Sequence, residues 1–191
     1  MAHVSIIGTG NMGQAIAGLA TKGGHTVQLL GSSDVDTPVS GDIVVLAVYY
    51  PALESVLEQR GSQLEGKVVV DISNPVNMET FDSLVVEADA SAAAELAERL
   101  PSSRVLKAFN TNFASTLVSG VVGALPTTVL IAGDDADAKS QLADVVSSAG
   151  LQAVDAGSLK RARELEAIGY LQMTLAAGEK VSWTGGFGLV A

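Results

Sequence analysis

The chain has 191 residues, 48% of them hydrophobic, with a formal net charge of −10 and no cysteine. That apolar content is ample for one buried core, and the acidity argues against a nucleic-acid or anionic-membrane partner. The missing cysteines exclude disulfides, thiolate metal sites and thiol nucleophiles, and no apolar run approaches a membrane span.

His3-Val4-Ser5-Ile6-Ile7 reads as a first strand, and Met1 leads almost directly into it. No room is left for a signal peptide, so a cytoplasmic protein is expected. Gly8-Thr9-Gly10-Asn11-Met12-Gly13 follows, and then Gln14-Ala15-Ile16-Ala17-Gly18-Leu19-Ala20 with apolar residues at helical spacing. Strand, glycine turn and helix in this order place Gly8-x-Gly10-x-x-Gly13 where a dinucleotide fingerprint belongs. Gly8 permits the sharp turn, Gly10 admits a pyrophosphate to the backbone, and Gly13 lets the helix pack close. The N–H groups and dipole at the helix start then hold the phosphates.

Lys22-Gly23-Gly24 ends that helix, and residues 25–30 give a second strand. Residues 42–48 form a buried parallel strand, apolar almost throughout. Only about a dozen residues separate the two strands, where a standard Rossmann half carries a helix and another strand. The second strand is therefore expected at or near the sheet edge. Tyr49-Tyr50-Pro51 leads into a helix over 51–60, and 67–72 is the next strand. Ser73-Asn74-Pro75 ends it, residues 76–90 are irregular, and a Ser91-capped helix precedes a strand over 104–109. Helices over 112–119 and 135–149, strands over 127–133 and 152–155, and a closing helix over 158–177 continue the alternation. The fold expected is α/β: a Rossmann-type, doubly wound, mostly parallel sheet. Residues 1–191 form one NAD(P)-binding domain, with a small C-terminal helical extension over about 156–191. Leu165, Ile168, Leu171 and Leu175 of the closing helix are expected to cover the sheet or meet a partner.

At the end of the second strand an acidic residue would bind the ribose 2′-hydroxyl of NAD. Gly31-Ser32-Ser33 stands there instead, and Thr9 can face the same place, which points to NADP. Ala47, Val48 and Tyr49, with Asn74 and Pro75, end the next two strands and should line the nicotinamide half of the cofactor. Phe109 and Asn110 end the strand after those, with Asn110 a cleft contact. Lys107 can as easily be a solvated edge charge and is not assigned a catalytic role, and His3 and His25 read as structural or solvent-facing groups. No Ser-His-Asp order, HExxH or metal-ligand cluster appears, so no catalytic acid-base group and no metal site are assigned. Hydride transfer to a flavin-like ring needs positioning more than a protein proton donor.

Five segments occur in an order that resembles a known family: Gly8–Gly13, Ser73-Asn74-Pro75, Lys107-Ala108-Phe109-Asn110-Thr111, Ala132-Gly133-Asp134-Asp135 and Asp155-Ala156-Gly157-Ser158-Leu159. Together they look like the NADPH-dependent reductases of coenzyme F420, a deazaflavin, over nearly the whole chain. The Lys-Ala-Phe-Asn-Thr run is also similar to the NADPH domain of the STEAP ferric reductases. The resemblance implies NADP(H), with coenzyme F420 or a flavin as the small-molecule hydride acceptor, and a homodimer. It implies phosphate contacts from Thr9, Asn11 and Met12 and a 2′-phosphate contact from Ser32. A basic residue usually follows that serine in the family; here Ser33 does. The alternatives are an NADPH-dependent reductase of a small carbonyl or imine, which would need a sizeable helical second domain, and a non-catalytic NADP(H)-binding module.

Overall fold

A computed structural model describes residues 1–190. Its elements are β1 (His3–Ile7), α1 (Asn11–Lys22), β2 (Thr26–Leu30), β3 (Ile43–Leu46), α2 (Leu53–Arg60), β4 (Val68–Asp71), α3 (Ala92–Arg99), β5 (Arg104–Lys107) and α4 (Ala114–Ser119). A hairpin of β6 (Val121–Val122) and β7 (Leu125–Pro126) follows, then β8 (Thr128–Gly133), α5 (Ala136–Ser148), β9 (Gln152–Gly157) and α6 (Ala162–Ala177). The hairpin has no counterpart among the expected elements.

Seven strands form one sheet in the order β2-β1-β3-β4-β5-β8-β9. β1 to β5 are mutually parallel; β8 runs antiparallel to β5, and β9 is parallel to β8. β2 is an edge strand, as its shortened connection to β3 implies. The central strands are apolar on both faces because helices cover both. In β3, Ile43 and Val45 join the core under α1, α4 and α5, while Val44 and Leu46 join the core under α2 and α3.

Strand order reverses at β1, which has β2 on one side and β3 on the other. The crevice between the carboxyl ends of β1 and β3 is thus the switch point where open α/β sheets bind ligands. His25 serves structure: its Nδ1 accepts the Ala2 N–H at 3.0 Å, and its Nε2 lies 2.8 Å from Ser148 Oγ on α5.

The closing helix divides its apolar residues between the core and the surface. Its buried face is Ala162, Leu165, Glu166, Gly169, Gln172 and Ala176, while Ile168 and Leu171 are exposed. The tail returns across it: Gln172 Oε1 accepts the Phe187 N–H at 3.0 Å, and the Trp183 ring lies 4.9 Å from that of Phe113.

Candidate functional site

The three glycines of the opening turn meet different surroundings. Gly8 has φ +118°, and a Cβ there would overlap the Ala47 carbonyl oxygen. A Cβ on Gly13 would overlap the Gly8 carbonyl oxygen. Gly10 has nothing within 4 Å of the place its Cβ would occupy. Two of them therefore hold the turn against β3 and α1, and the third leaves free volume at the helix start. The turn is pinned by Gly8 N–H donating to Leu30 O and Ala47 N–H donating to Ile7 O, both at 2.8 Å. No side chain caps α1, and its first turn holds no acidic residue. Backbone donors, the positive end of the helix dipole and open space at Gly10 suit a diphosphate. Thr9 and Asn11 are exposed beside it and Met12 is half-buried.

At the end of β2, Ser32 and Ser33 are exposed and Thr9 packs against Gly31. Asp34 folds back, its Oδ2 accepting the Gly31 N–H at 2.7 Å. Arg60, at the end of α2, reaches this loop from inside; its buried guanidinium donates to the carbonyl oxygens of Thr37, at 2.8 Å, and Asp34. At the end of β3, Ala47 and Val48 pack against the Gly8 turn, and Tyr49 is 76% exposed. The next tyrosine is engaged: Tyr50 donates to Glu95 at 2.7 Å. Burial first, then the hydrogen bond and charge of Glu95, push the Tyr50 phenol up to about 12.

The ends of β4 and β5 are closed rather than open. Asn74 Nδ2 donates to the Asn110 carbonyl, and Asn110 Nδ2 donates back to Asn74 Oδ1, both at 2.9 Å. Asn110 Nδ2 also donates to Leu165 O at 2.8 Å. α6 comes this near because Gly169 faces the pair; a Cβ there would lie 2.5 Å from Asn74 Oδ1. Pro75 and Phe109 are buried, and Phe109 holds a left-handed φ of +62°. Strain of that kind persists only where the surroundings impose it. Asn110 Oδ1 and Ser73 Oγ are buried without a partner.

Lys107 is not a solvated edge charge. Its side chain is fully buried, and its ammonium meets Asp71 Oδ2 at 2.7 Å, Glu166 Oε1 at 2.7 Å and Ser73 O at 2.5 Å. Three acceptors satisfy its three N–H bonds. Asp71 Oδ1 accepts the Ser73 N–H at 2.8 Å, so the cluster also sets the start of the 73–75 loop. Glu166 accepts the Ala92 and Ala93 N–H groups at 3.0 and 3.3 Å and so caps α3 from α6. Desolvation, opposed by Lys107, raises its pKa above the usual glutamate range. Asp71 and Glu166 did not stand out in the sequence. The one available signal is that β4 and β5 each end an apolar run with a charge, opposite in sign, and these two residues are register partners.

Among the described residues no group of three or more His, Asp or Glu side chains could hold a metal ion, and no helix is long and apolar enough to cross a membrane. The family model for coenzyme F420-dependent NADP oxidoreductases matches residues 26–75. The chain is 31% identical over 163 residues to the F420-dependent NADP reductase of Methanothermobacter thermautotrophicus, covering 82% of this chain and 70% of that one. It is 36% identical over 129 residues to the rat metalloreductase STEAP3, covering 68% of this chain and 25% of that protein. The crystal structure of a proposed F420-dependent NADP reductase from Arthrobacter sp. FB24 superposes over 100% of both chains, with a TM-score of 0.87 at 23% identity.

Proposed function

The chain belongs to the family of F420-dependent NADP reductases, and from that membership we propose that it exchanges hydride between NADP(H) and coenzyme F420. It is an NADP-dependent oxidoreductase of Rossmann fold. NADPH supplies two electrons and one proton as hydride when bound, and solvent supplies the second proton of the reduced acceptor.

The observation that carries the reading is the uncapped start of α1 at the switch point, with free volume at Gly10. In this reading the amides of Asn11, Met12 and Gly13 hold the diphosphate, with Thr9 beside them. Ser32 and Ser33 face the adenosine end. Ala47, Val48 and Tyr49 border the ring-bearing half, with Asn74, Pro75, Phe109 and Asn110 behind it. No side chain is assigned a proton-transfer role; positioning and water exclusion are the protein's part.

Purified protein mixed with NADPH and oxidised F420 should bleach both chromophores together, with FMN, FAD and riboflavin as parallel acceptors. Turnover with a flavin alone would move the acceptor class; no turnover with any of the four would sink hydride transfer. The homodimer is part of the reading, because exposed Ile168, Leu171, Trp183 and Phe187 offer apolar surface for a second copy. Sedimentation should give twice the 19.4 kDa chain mass; a monomer at assay concentration removes that element. A cytoplasmic location completes it, and fractionation of the source cells checks it.

A further inference from the structure

We propose that Asp34 sets the nucleotide preference of this enzyme, weakening its selection of NADPH so that NADH is used as well. The proposal rests on the NADP(H) reading above and concerns one carboxylate within that site. Position along the chain hides it, because Asp34 lies three residues beyond Gly31. The fold brings it back: its Oδ2 accepts the Gly31 N–H at 2.7 Å and lies 3.4 Å from where a Gly31 Cβ would stand, as does Thr9 Cγ2. An acidic group is thereby placed at the end of β2, beside the glycine turn. There a carboxylate accepts from a ribose 2′-hydroxyl and repels a 2′-phosphate.

The placement is held firmly. The Asp34 N–H donates to Gly31 O at 3.2 Å, the Thr37 N–H donates to Asp34 O at 3.0 Å, and Arg60 grips the carbonyls of Asp34 and Thr37. No basic side chain offsets the charge from the outer side. Ser32, Ser33, Val35, Asp36 and Thr37 are its exposed loop neighbours, none of them basic, and the Arg60 guanidinium is committed to backbone on the inner side. Ser32 and Ser33 can still donate to a 2′-phosphate, so binding of NADPH survives against an opposing charge.

Asp34→Asn tests this with little disturbance, since an asparagine oxygen can keep the Gly31 hydrogen bond. kcat/KM and thermal stabilisation are measured with NADPH and NADH for both proteins. The wild type is expected to use both nucleotides. Asp34→Asn is expected to raise the NADPH-to-NADH ratio of kcat/KM about tenfold or more, mainly through KM for NADPH. Asp34→Ser should move the ratio the same way. Strong NADPH selection in the wild type, left unchanged by Asp34→Asn, overturns the proposal while the cofactor reading stands. Equal changes for both nucleotides also overturn it. Stabilisation by neither nucleotide overturns both.

Discussion

The two ends of the carboxyl edge treat polar groups in opposite ways. At β1 and β3, the start of α1 carries no cap, Gly10 leaves its surroundings empty, and Thr9, Asn11 and Ser32 are exposed. At β4 and β5, the Lys107 ammonium is surrounded by acceptors, Asn74 and Asn110 bond each other, and α6 seals them. A single sheet edge thus has an unfinished half and a finished half. Donors left without protein partners are the ones a nucleotide can complete, whereas donors satisfied internally hold the walls in place. The comparison also explains how a chain of charge −10 can receive an anionic cofactor: the donors at the open half are backbone amides, and the buried cations are spent elsewhere.

The largest effect should come from breaking the finished half. Lys107→Met leaves two buried carboxylates without a cation and should cost about 3–5 kcal/mol in denaturant unfolding. Glu166→Gln should cost less, because Lys107 keeps Asp71 and one charge balances one. It also carries a pH signature. The folded state binds the Glu166 proton more tightly than the unfolded chain does. Wild-type stability from this group is therefore present at low pH and declines as pH rises from about 4.3 toward the raised folded value. The stability of Glu166→Gln relative to wild type should climb across that window.

Next comes the turn that joins the halves. Gly8→Ala must take φ +118° and overlap the Ala47 carbonyl, for a loss of about 2–3 kcal/mol. The smallest change in stability belongs to Gly10→Ala, where space is open and φ is −70°. It should unfold within about 1 kcal/mol of wild type while weakening NADPH at least about tenfold by calorimetry. Equal affinity for the two proteins would mean that the free volume at Gly10 receives nothing.

The open half could be read from residues because its determinants are local. Glycine spacing, a β-branched strand and an apolar helix lie within twenty residues of one another, and each has a conformational reason. β2 as an edge strand also followed from a short connection. The closed half could not be read this way. Lys107 meets Asp71 across 36 positions and Glu166 across 59, and a lone charge ending a strand is ordinarily exposed. The α6 face was only half legible for a related reason. Leucine spacing left open whether Ile168 and Leu171 cover the sheet or meet a partner; the helix turns Glu166, Gly169 and Gln172 inward to serve polar partners, so those two stay outside. Asp34 stands close to Ser32 and Ser33 in the sequence, but only local folding turns its carboxylate back onto Gly31.

Glu166 gives the last helix authority over residues made much earlier. As the chain leaves the ribosome, β4, α3 and β5 emerge with Lys107 held by one carboxylate and the first amides of α3 uncovered. Those groups wait for a side chain 59 positions beyond Lys107 and 74 beyond Ala92. Any version of the chain ending before α6 would keep the whole nucleotide fingerprint and still lack the piece that closes its far wall. The C-terminal segment is better understood as the keystone of the sheet edge than as an appendage to it.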